Sequence, residues 1–407
     1  MNWALTHSKA IWIVTVAAVL TLQAGCGGGS SPKNSAASIT PAGNNVQQIV
    51  VNSGPAGNYA NGVFTSITIC VPSSSTCQTI DGILVDTGSY GLRVLSSAGG
   101  GALTLSLPRQ TGSGGNPIGE CAMFVSGFTW GSVNTADVTI SGEQARSVPV
   151  QVIDPTFATV PSGCQNTGVP ENDTLQTLGA NGILGVGPFA QDCGGACAQT
   201  GSANPGMYYQ CASTSCSVVT QALSQQVQNP VVLFPSDNNG VIIQLPSLAN
   251  ATAGLTGSMI FGIGTHSNNA LGNAQVFAIN SNGEFNTSFN GKSYPAFIDS
   301  GSNAFFFLDS NLTGLQTCGS SSGFYCPPTT KGLSATTSSG SSTQTINFSI
   351  ANANSLFSNR GDFVFETLGG PNPGTFDWGL PFFYGRPIFT AIEGRSTPAG
   401  AGPFWAY

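Results

Sequence analysis

Two short and nearly identical stretches, one in each half of the chain, constrain the fold more than any other feature. Asp86-Thr87-Gly88-Ser89 follows the apolar run Ile83-Leu84-Val85, and Asp299-Ser300-Gly301-Ser302 follows Ala296-Phe297-Ile298. The glycine permits a tight turn at the end of a buried strand, and the hydroxyls can form local hydrogen bonds. One copy would be an ordinary turn with a capping aspartate. Two copies in the same context predict a duplicated fold with one carboxylate from each half.

The composition favours a β-rich chain with many turns. Its 407 residues are enough for two lobes with cores of their own. Charged residues make up 7%, against about 25% in an average globular protein, and Gly, Ser, Asn and Thr supply most of the polarity. Disorder is the alternative interpretation of so much Gly and Ser. It conflicts with the apolar, strand-like runs that recur at short intervals, so we expect an all-β fold.

The charged residues and histidines exclude several classes of function. The net charge is −7, and the ten Lys and Arg are scattered, so nucleic acid is not an expected partner. The two histidines are His7, near the N-terminus, and His266, in a polar, turn-like stretch where we expect an exposed loop. One histidine in the mature chain argues against a multi-histidine zinc site and against Ser-His-Asp or Cys-His catalysis. No metal and no other cofactor are therefore expected.

The N-terminus reads as a bacterial export signal over residues 1–26. After Lys9, the apolar stretch Ala10–Ala24 is too short for a comfortable transmembrane helix. Leu22–Cys26 resembles a lipobox, which predicts that Cys26 carries lipid; ordinary cleavage nearby is the alternative. Residues 27–45 are rich in Gly and Ser and predict a flexible tether. The protein is thus expected in the cell envelope as a lipoprotein attached to a membrane, or secreted.

The other ten cysteines predict five disulfides, since an even number in an exported chain favours pairing. Metal binding is a weaker alternative, because no histidine or paired C-x-x-C accompanies the thiols. Close spacing suggests the pairs Cys70–Cys77, Cys193–Cys197, Cys211–Cys216 and Cys318–Cys326, which leaves Cys121 with Cys164.

The order of strand-like runs predicts an N-terminal β lobe over 46–235 and a C-terminal β lobe over 236–407. Residues 124–140 predict a hairpin with a glycine-bearing tip. Apolar residues at helical spacing predict a helix over Val218–Val227. The segment Ser334–Ser342 is polar and predicts a loop.

In sequence order, these motifs resemble the pepsin-like aspartic peptidases over roughly residues 60 to 407. The two Asp motifs resemble the catalytic loops, and Gly127 and Gly131 match the glycine spacing of the flap hairpin. Residues 182–185 and 376–383 resemble the strands under the two aspartates, and residues 386–392 resemble the strand that follows. The resemblance implies a bilobal pepsin-like fold with Asp86 and Asp299 facing each other across a cleft between the lobes.

The resemblance also implies roles for the neighbouring residues. Ser89 and Ser302 would hydrogen-bond the outer carboxylate oxygens, and the amides of Gly88 and Gly301 would donate inward. Thr87 and Ser300 would brace the two loops. The implied activity is that of a monomeric endopeptidase that binds an unfolded peptide or protein as a strand in the cleft and hydrolyses it with a water activated between the aspartates.

Two positions depart from the family pattern and keep other functions open. Phe124 stands where the flap usually has a tyrosine, and Arg93 stands where a tryptophan usually hydrogen-bonds that tyrosine. A catalytically silent binding or inhibitor protein of the same fold is therefore the alternative. A carbohydrate-binding or structural envelope protein is a third hypothesis, which rests only on the richness in Gly, Asn and Ser.

Overall fold

The computed structural model describes residues 43–165, 167–212, 215–319 and 323–407. The predicted export signal, the lipobox cysteine Cys26 and most of the predicted tether lie outside these residues. The last tether residue, Asn45, is buried and donates a hydrogen bond to Phe261 O at 2.9 Å. The described end of the predicted tether is therefore packed against the second half of the chain.

Strands dominate both halves, and helices are short. The strands of the first half are β1 (Val46–Asn52), β2 (Gly62–Cys70), β3 (Cys77–Asp86), β4 (Tyr90–Leu95), β5 (Ile118–Phe124), β6 (Gly127–Ile140), β7 (Glu143–Ile153), β8 (Gly182–Val186), β9 (Tyr208–Cys211) and β10 (Cys216–Val218). Those of the second half are β11 (Gly240–Gln244), β12 (Leu255–Phe261), β13 (Val276–Ala278), β14 (Phe285–Phe289), β15 (Lys292–Ile298), β16 (Phe305–Leu308), β17 (Lys331–Ser339), β18 (Ser342–Ile350), β19 (Gly369–Gly370), β20 (Asn372–Trp378), β21 (Pro387–Ala391), β22 (Ser396–Thr397), β23 (Gly400–Ala401) and β24 (Phe404–Ala406).

Within the described residues, the helices connect strands and do not form a layer of their own. The α-helices are α1 (Ser162–Gln165), α2 (Leu175–Leu178), α3 (Ser310–Thr313) and α4 (Ala353–Leu356). Single 3-10 turns cover Ser97–Gly99, Ser113–Gly115, Gly194–Ala196, Gly201–Ala203, Leu223–Gln225, Pro230–Leu233, Ser267–Asn269 and Leu380–Phe383. The expected all-β class is confirmed.

One large sheet runs through both halves of the chain. Its strand order is β10-β9-β5-β6-β7-β4-β8-β3-β2-β1-β12-β11-β21-β24-β13, with an additional pairing of β6 with β2. The halves join where β1 pairs with β12 in antiparallel register, from Val46 opposite Ile260 to Val51 opposite Leu255. A second sheet, in the order β18-β17-β14-β15-β20-β16-β19, belongs to the second half alone.

The register around the two Asp motifs repeats between the halves. In the first half, β8 lies between β3, to which it is parallel, and β4, to which it is antiparallel; Ile183 is opposite Leu84 and Arg93. In the second half, β20 lies in the same way between β15 and β16, and Asp377 is opposite Phe297 and Phe306. Asp377 thus occupies the position that Ile183 has in the first half, and this repetition supports the predicted duplication.

Apolar side chains of the strands form the core that positions these motifs. β-branched and aliphatic residues, including Ile83 and Val85 beside the first motif, are fully buried in the first half. The second half is richer in aromatics: Phe376 and Trp378 of β20 pack with ring centroids 5.5 Å apart. Burial of each such side chain contributes about 1.5–3 kcal/mol, so both Asp motifs stand on rigid strands.

Two secondary-structure predictions are wrong. Val218–Val227 is not a helix: Val218 ends β10, and only Leu223–Gln225 forms a 3-10 turn. Consecutive β-branched residues at 218–220 disfavour helix, and tertiary hydrogen bonds, such as Gln221 N to Cys197 O at 2.8 Å, hold the segment.

The predicted polar loop Ser334–Ser342 is instead the tip of the β17–β18 hairpin, which is paired from Lys331–Ile350 to Ser339–Ser342. Thr and Ser suit a strand with one solvated face, so polarity alone gave the wrong answer.

All five predicted disulfides are present, with the pairing that the spacing suggested. Such bonds persist in oxidising compartments, which agrees with an exported protein. Among the described residues, no helix has the length and apolarity needed to cross a membrane.

Candidate active site

The two Asp motifs meet at the boundary of the halves and brace each other through reciprocal hydrogen bonds. Thr87 N donates to Ser300 Oγ at 3.1 Å, and Ser300 N donates to Thr87 Oγ1 at 2.9 Å. Both hydroxyls donate to the strand of the opposite half: Ser300 to Val85 O at 2.8 Å and Thr87 to Ile298 O at 3.2 Å. Both side chains are fully buried, so this contact fixes one loop relative to the other.

Each aspartate receives the same pair of donors from its own loop. Gly88 N donates to Asp86 Oδ1 at 2.8 Å, and Ser89 Oγ donates to Asp86 Oδ2 at 2.5 Å. In the second loop, Gly301 N donates to Asp299 Oδ1 at 2.7 Å, and Ser302 Oγ contacts Asp299 Oδ2 at 2.8 Å. Carboxylates held by an amide and a hydroxyl have fixed orientations.

The two carboxyl groups lie against each other. A Cβ atom at Gly88 would lie 2.7 Å from Asp299 Oδ1, and one at Gly301 would lie 2.7 Å from Asp86 Oδ1. Only glycine therefore allows each loop to approach the carboxyl group of the other. Burial, then the charge of Asp86 and then that of Asp377, raise the pKa of Asp299 well above its ordinary value. Asp299 therefore holds a proton more firmly than an exposed aspartate does.

Two tyrosines that belong to neither Asp motif lie near the pair. Burial, then the charges of Asp86 and Asp299, raise the pKa of Tyr59; burial and Asp86 chiefly raise that of Tyr90. Both hydroxyls therefore stay protonated. Tyr59 is outside every strand, which explains why no pattern indicated it.

The predicted flap is the β5–β6 hairpin, with its turn at residues 125–126. Phe124 is opposite Gly127 in the last pair before the turn, and Val125 at the tip is 55% exposed. The ring of Phe124 is partly buried, and its centroid lies 5.7 Å from the Arg93 guanidinium carbon. The two positions that depart from the family pattern are thus neighbours and contact each other as a cation–π pair.

Arg93 also forms a buried ion network beneath the flap. It donates to Glu120 Oε1 at 2.5 Å and to Asp192 Oδ2 at 2.9 Å, and all three side chains are at most 4% exposed. Tyr208 OH donates to Asp192 Oδ1 at 2.7 Å. Burial and the neighbouring charge of Glu120 raise the pKa of Asp192 well above its ordinary value. Since Glu120 lies on β5, the network ties the flap to the body of the first half.

The base of the flap is also held at both edges. On one side β5 pairs with β9, and the Cys121–Cys164 disulfide links β5 to α1. On the other side, Phe128 N donates to Pro170 O at 2.9 Å, and Asn172 N donates to Phe128 O at 2.7 Å. Only the tip beyond these contacts can move without breaking backbone hydrogen bonds.

A third carboxylate joins the site from β20. Ser302 Oγ lies 2.6 Å from Asp377 Oδ2 and 2.8 Å from Asp299 Oδ2, so it bridges the two carboxyl groups. The sequence carried one signal for this residue, an aspartate inside the otherwise apolar stretch 376–383. In the described part of the chain, no group of three or more His, Cys, Asp and Glu side chains is arranged to hold a metal ion.

His266 lies far from these groups in sequence and contacts a different aspartate. Its side chain is 54% exposed, and Nε2 lies 3.0 Å from the buried Asp237 Oδ2. It is therefore a surface residue with a buried partner, which agrees broadly with the expected position in an exposed loop.

The fold is that of the pepsin-like aspartic proteinases as a structural class, which confirms the expected bilobal pepsin-like fold. The solved structure of an aspartic proteinase from Irpex lacteus superposes with a TM-score of 0.50 and 14% identity, over 89% of this chain and 96% of that one. At that identity the likeness shows the fold alone. Residues 41–407 match the family described as "Protein of unknown function (DUF3443)", and the chain belongs to that family. No curated protein matches the sequence.

Proposed function

We propose that the protein is an aspartic endopeptidase that hydrolyses peptide bonds with a water held between Asp86 and Asp299. One observation carries the proposal: the two carboxyl groups face each other, and each has one amide and one hydroxyl contact. A pair of turns with capping aspartates would not require glycine at the point of closest approach. Because its pKa is raised, Asp299 can keep the proton that such chemistry needs.

The ionised and the protonated carboxyl group have different roles in the reaction. The ionised carboxyl group removes a proton from the water, and the protonated one donates a hydrogen bond to the scissile carbonyl and stabilises the oxyanion that develops. The inner oxygens are held by Gly88 N and Gly301 N, so neither carboxyl group needs to rotate. Because the pair titrates as a unit, neither role is assigned to one aspartate.

The substrate that this arrangement fits is an extended peptide lying under the flap tip. A strand-like peptide can present its carbonyl to the carboxyl pair, and Phe124 offers it an apolar contact. We further propose a monomeric, exported enzyme that is held at the membrane by lipid on Cys26. Mass spectrometry of the mature N-terminus tests the lipid, and an unmodified chain that starts elsewhere would contradict it.

Digestion of a denatured protein over a pH series, with and without the aspartic-peptidase inhibitor pepstatin, tests the activity. Cleavage is expected to peak below neutral pH, because hydrolysis needs one proton on the pair. It should fall as pH rises and that proton is lost, and fall again at very low pH, when both carboxyl groups are protonated. Pepstatin should abolish it. Cleavage that peaks above neutral pH and ignores pepstatin would place the chemistry elsewhere.

The environment of the flap favours a second candidate, a catalytically silent binding protein of the same fold. The Phe124–Arg93 pair offers no hydroxyl to orient water or substrate, and the hairpin is held at both edges. This candidate predicts no hydrolysis at any pH. It also predicts a peptide or protein partner that binds Asp86→Asn and Asp299→Asn as tightly as it binds the unaltered protein.

A further inference from the structure

The single hydroxyl of Ser302 could not form hydrogen bonds to two carboxyl groups if both of them were ionised. A serine hydroxyl has one hydrogen to donate, and an ionised carboxylate can only accept. Ser302 Oγ lies within hydrogen-bond distance of Asp299 Oδ2, at 2.8 Å, and of Asp377 Oδ2, at 2.6 Å. For both contacts to be hydrogen bonds, Ser302 donates to one carboxyl group and accepts from the other. One of the two groups must therefore carry a proton that it gives to Ser302.

The surroundings of Asp377 favour the proton there. Asp377 is 6% exposed, and its Oδ1 is buried without a hydrogen-bond partner. Its neighbours across β20 are the apolar residues Phe297 and Phe306. An ionised Asp377 would leave a charged oxygen unsolvated and unpaired, which is costly, whereas the carbonyl oxygen of a neutral acid is tolerated at lower cost.

The charged groups around Asp377 act in the same direction. The groups that interact with it are Asp86, and Asp299 across Ser302, and both are acidic. Among the residues that the structure describes, no Lys, Arg or His pairs with it. Burial, before the charge of Asp86, raises the pKa of Asp377 well above its ordinary value. Asp299, by contrast, has the amide of Gly301 to stabilise its charged form.

We propose that Asp377 is a positioning residue that stays protonated and donates to Ser302, which fixes the hydroxyl hydrogen of Ser302 on Asp299 Oδ2. The outer oxygen of Asp299 then always accepts a hydrogen bond, and the shared proton of the Asp86–Asp299 pair stays on the inner side. The neutral acid also adds no negative charge to a site that already holds two carboxyl groups. The first half has no counterpart, since Ile183 occupies the matching position.

Infrared spectroscopy tests the protonation state without reference to activity. The carbonyl stretch of a protonated carboxyl group is separate from that of a carboxylate, so it can be measured at neutral pH in the whole protein. Asp377→Asn should remove one protonated-carboxyl band, because Asn keeps the shape and has an N–H to donate to Ser302. The exposed Asp81, on β3, is the control, and Asp81→Asn should remove none. An Asp377→Asn protein that keeps every protonated-carboxyl band would overturn the proposal.

A second measurement tests the positioning role, and this part rests on the proposed peptidase function. Asp377→Ile copies the residue of the first half and removes the donor; kcat/KM should fall about tenfold, as for one lost hydrogen bond. Asp377→Asn should lose less than Asp377→Ile and keep the acid limb of the pH profile in place. Equal losses in the two variants would overturn the positioning role. If the unaltered protein does not hydrolyse peptides, the proposed function fails while the infrared result still decides the protonation of Asp377.

Discussion

At the scale of single residues, Asp86 and Asp299 have matching donors but different neighbours. Ser89 donates to Asp86 at 2.5 Å, whereas Ser302 bridges Asp299 and Asp377. The two loops therefore have the same backbone contacts, but only the serine of the second loop also contacts a further carboxyl group. The difference arises on β20, where an aspartate replaces the isoleucine of the matching strand.

The carboxyl pair should be indispensable as a unit. Asp299→Asn and Asp86→Asn are each expected to lower kcat by at least about a thousandfold, because Asn keeps the shape but cannot cycle the proton. The kcat of the double variant should be no lower than that of either single variant, since the two carboxyl groups act together as one acid–base pair. Steady-state kinetics on a denatured protein measures this, and circular dichroism checks the fold. Additive losses would show that the two groups act independently.

Ser300→Ala should cost stability through the brace between the loops. The variant leaves Thr87 N–H and Val85 O without their side-chain partner in a fully buried place. An unsatisfied buried group costs about 1–3 kcal/mol, and chemical denaturation with the disulfides intact should show that loss. Ser74→Ala removes an exposed hydroxyl that donates to Val71 O, and it should change the free energy of unfolding by less than about 0.5 kcal/mol. Equal effects of the two variants would mean that the brace contributes nothing.

At the scale of elements, the flap depends on the buried ion network as much as on its own hairpin. Arg93→Met should destabilise the protein by about 3–5 kcal/mol, because it leaves Glu120 and Asp192 as buried carboxyl groups without a counter-charge. Denaturation measures this loss. The triple variant Arg93→Met, Glu120→Gln, Asp192→Asn should regain most of it, since no charge is left buried.

Arg109 supplies the matched control for that prediction. Its guanidinium carbon lies 5.4 Å from the ring centroid of Phe157, like Arg93 over Phe124, but Arg109 is exposed. Arg109→Met should therefore cost less than about 1 kcal/mol. If Arg93→Met is equally mild, or the triple variant is as unstable as the single one, the network does not hold the flap.

The pattern of the pepsin-like peptidases suggests Phe124→Tyr and Arg93→Trp as changes that restore activity. The structure predicts different outcomes for the two changes. Arg93→Trp would leave Glu120 and Asp192 buried without a counter-charge, so a loss of activity would report misfolding. Phe124→Tyr is the informative change: its added hydroxyl should raise kcat/KM if the flap lies over the substrate. The rate measured at the pH of maximal activity tests this, and an unaltered rate would contradict the proposed role of Phe124.

The sequence was sufficient for contacts that are local or repeated, and insufficient for those between distant segments. The Asp motifs carry their own donors, so the resemblance was enough to predict the contacts of Ser89 and Gly88. The partners of Arg93 could not, because Glu120 and Asp192 are 27 and 99 residues away. The helix expected over Val218–Val227 fails for the same reason: hydrogen bonds to distant residues outweigh a local apolar pattern.

At the scale of the whole molecule, acidic side chains outnumber basic ones. The chain has 17 Asp and Glu against ten Lys and Arg. Burial is the leading cause of a raised pKa at Glu143, Glu171, Asp173, Asp192, Asp299, Glu366 and Asp377. These groups lie in both halves, which the large sheet joins through β1 and β12. Their titration should therefore affect the stability of the molecule as one body.

The protein should be more stable in mild acid than at neutral pH. A carboxyl group whose pKa is raised on folding holds a proton in the native state that the unfolded chain has already released. Between the two pKa values the native state binds more protons, so the free energy of unfolding falls as pH rises. A fully buried group of this kind, such as Asp192 or Asp377, contributes a slope of up to about 1.4 kcal/mol per pH unit. The partly exposed groups contribute less, because solvent screens them. Thermal or chemical denaturation between about pH 5 and about pH 7.5 measures it.

Single variants separate this effect from the overall charge. Asp377→Asn is neutral at every pH and should flatten the pH dependence of unfolding, since its group no longer exchanges a proton on folding. Asp81→Asn makes the same side-chain change at an exposed site and should leave the slope as it is. Stability that rises from mild acid to neutral pH would contradict the prediction, because the native state would then bind fewer protons than the unfolded chain. A slope that both variants flatten equally would assign the effect to net charge instead of to buried carboxyl groups.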